Sequence, residues 1–156
     1  RMDISKEAIR RAAGKDKNIG WIVASLFHLP LRDGSVDGLF NVFAPSADAE
    51  FARVLRKDGL LFTAIPGRMH LWELKRVLYD TPRENDEAFP ELPSFRMEEQ
   101  VHVDANLLLS GKEPLSDLLS MTPYAWKSPK DGMARYAELE RLETPISFVI
   151  AVHRRR

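Results

Sequence analysis

The chain has 156 residues, 44% hydrophobic and 29% charged, with 23 basic residues balanced by 23 acidic ones. These proportions exclude a disordered tail, the absence of cysteine excludes a disulfide framework or thiolate metal site, and no apolar run approaches a membrane span. The expectation is one soluble, cytoplasmic domain with a real core, in which any nucleic acid is held by local basic patches rather than by net charge.

In chain order, Arg1-Met2-Asp3-Ile4 is too short for a whole strand and leads at once into a helix. Ser5 suits the N-cap, Glu7 the first turn, and Gly14 the end, with Ala8, Ile9, Ala12 and Ala13 as the apolar face. A strand is expected over 20–24. Leu29-Pro30-Leu31 then bars a regular helix, Asp33-Gly34-Ser35 makes a turn, and Val36 to Phe43 reads as a second buried strand. His28 reads as a surface residue without catalytic work, and Asp37, at the start of its strand, as structural. Ala47 to Arg56 forms a helix closed by Lys57-Asp58-Gly59, and a buried strand follows over 59–65. Residues 69–80 repeat Leu71, Leu74 and Leu78 at helical spacing.

Residues 80–94 carry Pro82, Pro90, Pro93 and the acidic residues Asp80, Glu84, Asp86, Glu87 and Glu91. That composition predicts an exposed mobile loop, either a lid or plain surface. A strand over 95–103 comes next, then helices from Lys112 to Met121 and from Lys130 to Leu142. The closing strand spans 145–153, with Ile146, Phe148, Ile150 and Val152 on one face. Arg154-Arg155-Arg156 reads as a solvated tail. The alternation of buried strands and helices predicts an α/β, doubly wound sheet. The four histidines are scattered and no metal-ligand cluster appears.

Four segments carry a resemblance. Leu29-Pro30-Leu31 with Asp33-Gly34-Ser35-Val36-Asp37 is similar to the LPF-x-DGSFD strand entry of Rossmann-like S-adenosylmethionine-dependent methyltransferases, and Arg53-Val54-Leu55-Arg56-Lys57-Asp58-Gly59 to their RVLKPGG segment. His70-Leu71, Glu73-Leu74-Lys75 and Met121-Thr122-Pro123-Tyr124-Ala125-Trp126 resemble HL-x-ELK and MTP-aromatic-AW of the large-subunit ribosomal RNA guanine-N1 methyltransferases. The resemblance runs from Asp3 to about Val152. It implies a Rossmann-like methyltransferase fold, with a mostly parallel sheet and a reversed last strand, entered at the end of its second strand. The first strand, its Gly-rich turn and a zinc-binding cysteine segment are not in this chain. Residues 1–156 thus read as the carboxyl-terminal portion of one methyltransferase domain, with zinc expected only in that amino-terminal segment.

The implied reaction is transfer of a methyl group from S-adenosylmethionine to N1 of a guanine in a ribosomal RNA hairpin. Asp3 stands where the family binds both ribose hydroxyls, a task suited to a carboxylate; supplementing the helix cap is its alternative role. Ala24, Ser25 and Leu26 wall the adenine, with Ser25 where the family often has an Asp. Asn41, Phe43 and Pro45, His70, Tyr124 and Trp126 are substrate-binding candidates. The aromatics among them either stack on the unpaired base or belong to the core. The general base is not identified. The expected partners are RNA and, in a homodimer, a second copy, with no membrane. Two further readings stand beside this one: a binding module that kept the fold without the chemistry, and a small-molecule methyltransferase.

Overall fold

The computed structural model describes all 156 residues. They run β1 (Met2–Asp3), α1 (Lys6–Lys15), β2 (Ile22–Val23), β3 (Val36–Val42), α2 (Asp48–Val54), β4 (Leu55–Pro66), α3 (Trp72–Leu78), β5 (Phe95–Ser110), α4 (Lys112–Ser120), α5 (Tyr124–Lys127), α6 (Lys130–Ala137) and β6 (Arg141–Arg155). β1 and β2 pair in parallel as a separate two-stranded sheet. A second sheet is ordered β3-β4-β6-β5, with β3 and β4 parallel. β6 is reversed against β5: the Gly111 amide donates to the Glu140 carbonyl and the Arg156 amide to that of Ser94, so each strand starts beside the other's end.

The residues gather into two compact units. The first comprises Arg1–Ala64, Pro90–Gln100 and Ala151–Arg156. Its core is Leu29, Phe51, Val54, Leu55, Leu61 and Phe95, with Val36 and Leu39 of β3 packed against them. Alternation on the parallel strands aims Leu39 and Asn41, Leu61 and Thr63 inward. Their neighbours Phe40 and Phe62 stack on the opposite face, centroids 4.6 Å apart, and Phe40 stays 73% exposed.

The second unit comprises Ile65–Phe89 and Val101–Ile150. Leu71, Leu74 and Leu78 pack there with Leu115, Leu119, Tyr136 and Leu142. α3 and α6 meet backbone to backbone, because Gly132 presents no side chain to Leu78; a Cβ there would lie 1.9 Å from the Leu78 carbonyl oxygen. No helix is long and apolar enough to cross a membrane.

Several boundaries depart from the sequence reading. The strand expected over 20–24 shrinks to Ile22–Val23, since its partner β1 is itself two residues long. α2 stops at Val54 because Leu55 already pairs with Val36. Lys57-Asp58-Gly59 becomes an irregularity inside β4, with Asp58 at φ 61°, and not a turn before it. Residues 69–71 precede α3 as a turn, with Leu71 left-handed at φ 56°. β5 runs on to Ser110, and β6 begins at Arg141, where a helix was expected. A one-turn helix, α5, starts behind Pro123, whose fixed φ suits a helix start. Ile146, Phe148, Ile150 and Val152 do share a face, but the more buried face carries Ser147, Val149, Ala151 and His153. The terminal arginines are fastened, not loose. Arg154 pairs with Glu98 at 2.7 Å, Arg155 donates to the Leu55 carbonyl, and Arg156 to the Pro93 and Ser94 carbonyls.

Candidate functional site

In the first unit, the carboxyl ends of β1, β2 and β3 open onto one groove of about 1060 Å³. Its walls include Arg1 to Ile4, Ala24 to Phe27, and Gly38 to Pro45, and they are mainly apolar. Such strand ends are where open α/β sheets take ligands. The groove also runs between two unpaired sheet edges. β1 has β2 on one side and no strand on the other, and β3 is the end strand of its sheet.

Each groove residue owes its position to local chemistry. Asp3 ends β1 and is exposed; its Oδ1 accepts the Ser5 amide at 2.8 Å, while the Ser5 hydroxyl accepts the Ala8 amide at 3.2 Å as N-cap. Asp3 therefore does help to start α1, through one oxygen. The Phe27 amide donates to the Ser25 hydroxyl at 3.3 Å, and the His28 amide donates to the Ser25 carbonyl at 3.1 Å, which turns the chain back at once after Ala24. Beyond that turn, Arg53 clamps the loop, donating to the Leu29 and Leu31 carbonyls and to Asp33. Glu50 completes this clamp. It accepts the Leu29 amide at 2.6 Å and pairs with Arg53 at 2.7 Å, and these bonds, Arg53 foremost, lower its carboxyl to about 2. The clamp went unread in the sequence, where Glu50 and Arg53 look like an ordinary i, i+3 surface pair.

Asn41 is buried and spends its amide on the loop after β3, donating to the Ala44 carbonyl at 3.3 Å and the Pro45 carbonyl at 3.1 Å. It shapes the loop from beneath. Phe43 is left-handed at φ 52°, a conformation costly for an aromatic residue, and its ring is 51% exposed in the groove. Pro45 is exposed beside it. So Asp3, Ala24, Ser25, Leu26, Asn41, Phe43 and Pro45 share one groove.

His70, Tyr124 and Trp126 belong to the second unit. His70 Nδ1 accepts the Ser147 amide at 3.2 Å, which places the ring proton on Nε2; burial first, then Lys75, pushes its pKa down, against the bond to Ser147. The Ser147 amide thus occupies Nδ1, its acceptor. Tyr124 is half-buried and packs edge-on against Tyr79 at 6.1 Å. Trp126 is 83% exposed and outside the core. Lys75, the last residue of the HL-x-ELK match, is buried, and desolvation lowers its pKa. No group of three His, Asp or Glu side chains is gathered where it could hold a metal ion.

Residues 1–63 match the methyltransferase domain family. A 23S rRNA (guanine(748)-N(1))-methyltransferase of Streptomyces fradiae is 34% identical, over 98% of this chain and 57% of that protein. A Bacillus subtilis protein provisionally assigned as a 23S rRNA guanine-N1 methyltransferase is 30% identical, over 97% of this chain and 55% of its own length. The chain spans about half the length of these curated relatives. Among solved structures, one of SAM-dependent methyltransferases from Methanosarcina mazei matches with a TM-score of 0.53 at 14% identity, covering 99% of this chain and 80% of that one. A Bacillus halodurans protein provisionally assigned as a methyltransferase gives 0.58 at 12% identity, over 98% and 80%. At these identities the structural likeness speaks for the fold alone.

Proposed function

We propose that this chain, whose residues 1–63 match the methyltransferase domain family and whose relatives along nearly its whole length are named for 23S rRNA guanine-N1 methylation, works as part of a longer enzyme of that specificity. Its reaction is S-adenosylmethionine-dependent methyl transfer to N1 of a guanine in large-subunit ribosomal RNA. The observation that carries the reading is this end-to-end similarity, at 30% to 36% identity.

The groove suits the adenosine part of the cofactor. Asp3 offers a carboxylate at the rim, whose Oδ2 can take ribose hydroxyls while Oδ1 holds the Ser5 amide. Ala24, Ser25 and Leu26 offer a short, partly apolar wall for the adenine. When bound, S-adenosylmethionine supplies a methyl group on a positively charged sulfur, so the protein's task is chiefly alignment. On the substrate side, guanine N1 lies on the pairing edge, so the base must be unpaired to react. Exposed Phe43 offers it a stacking face, held in place by the Asn41 bonds beneath the loop. Trp126 offers a second aromatic surface for the RNA.

The test is methylation by the longer protein, with labelled S-adenosylmethionine and transcribed 23S rRNA. A methyl group on guanine N1 blocks pairing, so reverse transcription should halt at one guanine. Label appearing only in small molecules, or nowhere, would favour the small-molecule or non-catalytic reading instead.

A further inference from the structure

The turn between β4 and α3 has the makings of an anion site that the protein fills with its own carboxylates. Gly67 anchors it: a Cβ there would lie 2.1 Å from the Ser147 hydroxyl, and the Gly67 and Leu71 amides donate to the Ser147 and Pro145 carbonyls, each at 2.8 Å. From this fixed turn Arg68 offers two donors. Its backbone amide donates to Glu87 Oε1 at 2.6 Å and its guanidinium to Glu84 Oε2 at 3.3 Å. Both carboxylates come from residues 81–89, which form no helix or strand.

Asn85, between them, pins that stretch to the turn. Its amide donates to the Arg68 carbonyl at 3.0 Å, and its side-chain nitrogen to the Gly67 carbonyl at 2.8 Å and the His70 carbonyl at 3.3 Å. Its side-chain oxygen accepts Lys75 Nζ at 2.6 Å, and Lys75 also donates to the Arg83 carbonyl at 2.8 Å. The bonds of this buried lysine all go to neutral oxygens. Arg68 thus meets two carboxylates, of which Glu84 is half-exposed and weakly held. Asn85 can stay bonded while the Glu84 and Glu87 side chains swing out.

We propose that the Arg68 turn is a binding site for one phosphate of the RNA backbone, with Glu84 and Glu87 as its resident competitors. A phosphate presents two oxygens to an amide and a guanidinium as the two carboxylates do. The acidic stretch then lowers affinity for RNA in general and yields to a substrate held by its other contacts. This rests on the RNA reading of the function above.

The experiment measures binding of a 23S rRNA hairpin to the longer protein by fluorescence anisotropy across a salt series. Glu84→Gln with Glu87→Gln should tighten binding by about tenfold, and Arg68→Gln should weaken it similarly, with a salt dependence shallower by about one unit. Asp86→Asn with Glu91→Gln makes the same charge change without touching Arg68, and should tighten binding much less. Equal gains from the two double variants, or no loss from Arg68→Gln, would overturn the proposal. Adding Arg68→Gln to Glu84→Gln/Glu87→Gln should cancel the gain. A second arm titrates inorganic pyrophosphate against the Glu84→Gln/Glu87→Gln protein and follows the Arg68 amide resonance. A shift there without RNA methylation would keep the anion site and sink the RNA reading; normal methylation with no Arg68 response to either ligand would do the reverse.

Discussion

Three side chains carry separable predictions. Asp3→Asn keeps the shape and the bond to the Ser5 amide while removing the charge from the groove. In the longer enzyme it should weaken S-adenosylmethionine binding by roughly 1–3 kcal/mol, read by calorimetric titration; an unchanged dissociation constant would leave Asp3 as a helix-start residue only. Trp126→Ala should cut RNA methylation by about tenfold or more while cofactor affinity holds, the loss expected when a stacking aromatic goes. Since Trp126 is exposed, the melting temperature should barely move; a drop in stability with normal activity per folded molecule would refute the stacking role. Glu50→Gln tests the clamp on the loop after β2. The Glu50 carboxyl is lowered to about 2 from an ordinary 4.5, so its stabilisation is complete above the ordinary value and fades as pH falls toward 2. The variant should lose about 1–2 kcal/mol at neutral pH in denaturant melts, with a gap that narrows below the ordinary carboxylate value and closes as pH falls to about 2. Asp3 stood out in the sequence through its resemblance to the ribose-binding acid at a strand end, two residues ahead of the N-cap Ser5. The role of Glu50 in the clamp was not legible, since its second partner, the Leu29 amide, is 21 residues away.

At the scale of elements, the sequence disclosed strands wherever apolar residues ran continuously, and misjudged ends where backbone pairing overrode side-chain pattern. Leu55 looks like one more apolar residue of a helix, yet its backbone is taken by Val36. β5 reaches Ser110 although most of its side chains are exposed, because the reversed strand beside it supplies hydrogen bonds and not burial. The loop over 80–94 is irregular as expected, but Asn85 ties it down through bonds that no local pattern announces. The α3–α6 contact offers a matched pair of glycine tests. Gly132→Ala pushes a methyl group into the end of α3 and should destabilise by about 2–3 kcal/mol. Gly14→Ala in α1 meets nothing within 4 Å and should be neutral or stabilise by up to about 1 kcal/mol. Thermal melts of both would check this; equal effects would mean that α3 and α6 can slide apart freely.

For the molecule as a whole, the open edges of β1 and β3 matter most. Unpaired strand edges beside exposed Phe40 and Val42 invite pairing with another chain. Residues 1–156 alone should therefore associate with rising concentration in sedimentation velocity, and bind S-adenosylmethionine weakly or not at all by calorimetry. A stable monomer with micromolar affinity would mean that the groove needs no further strand, and the placement of Asp3 would have to be redrawn. The open edges could be read in the sequence only through the family resemblance, since the pairing of β1 with β2 alone has no local signature.

The sheet order has a consequence for synthesis. β6 follows β4 and β5 in the chain, yet it lies between them, and residues Ala151–Arg156 belong to the first unit. While the ribosome is still extending the chain, β4 therefore waits with one edge bare until Arg141 and the residues after it are made. β5 waits as well, with the carbonyls of Pro93 and Ser94 at its start lacking Arg156, which donates to both. Folding of the sheet is held until β6 emerges, and such long-range closure is slow. The nascent chain is thus a natural client for holding chaperones, and a ribosome stalled within β6 would leave an aggregation-prone intermediate where a few more residues would leave a folded sheet.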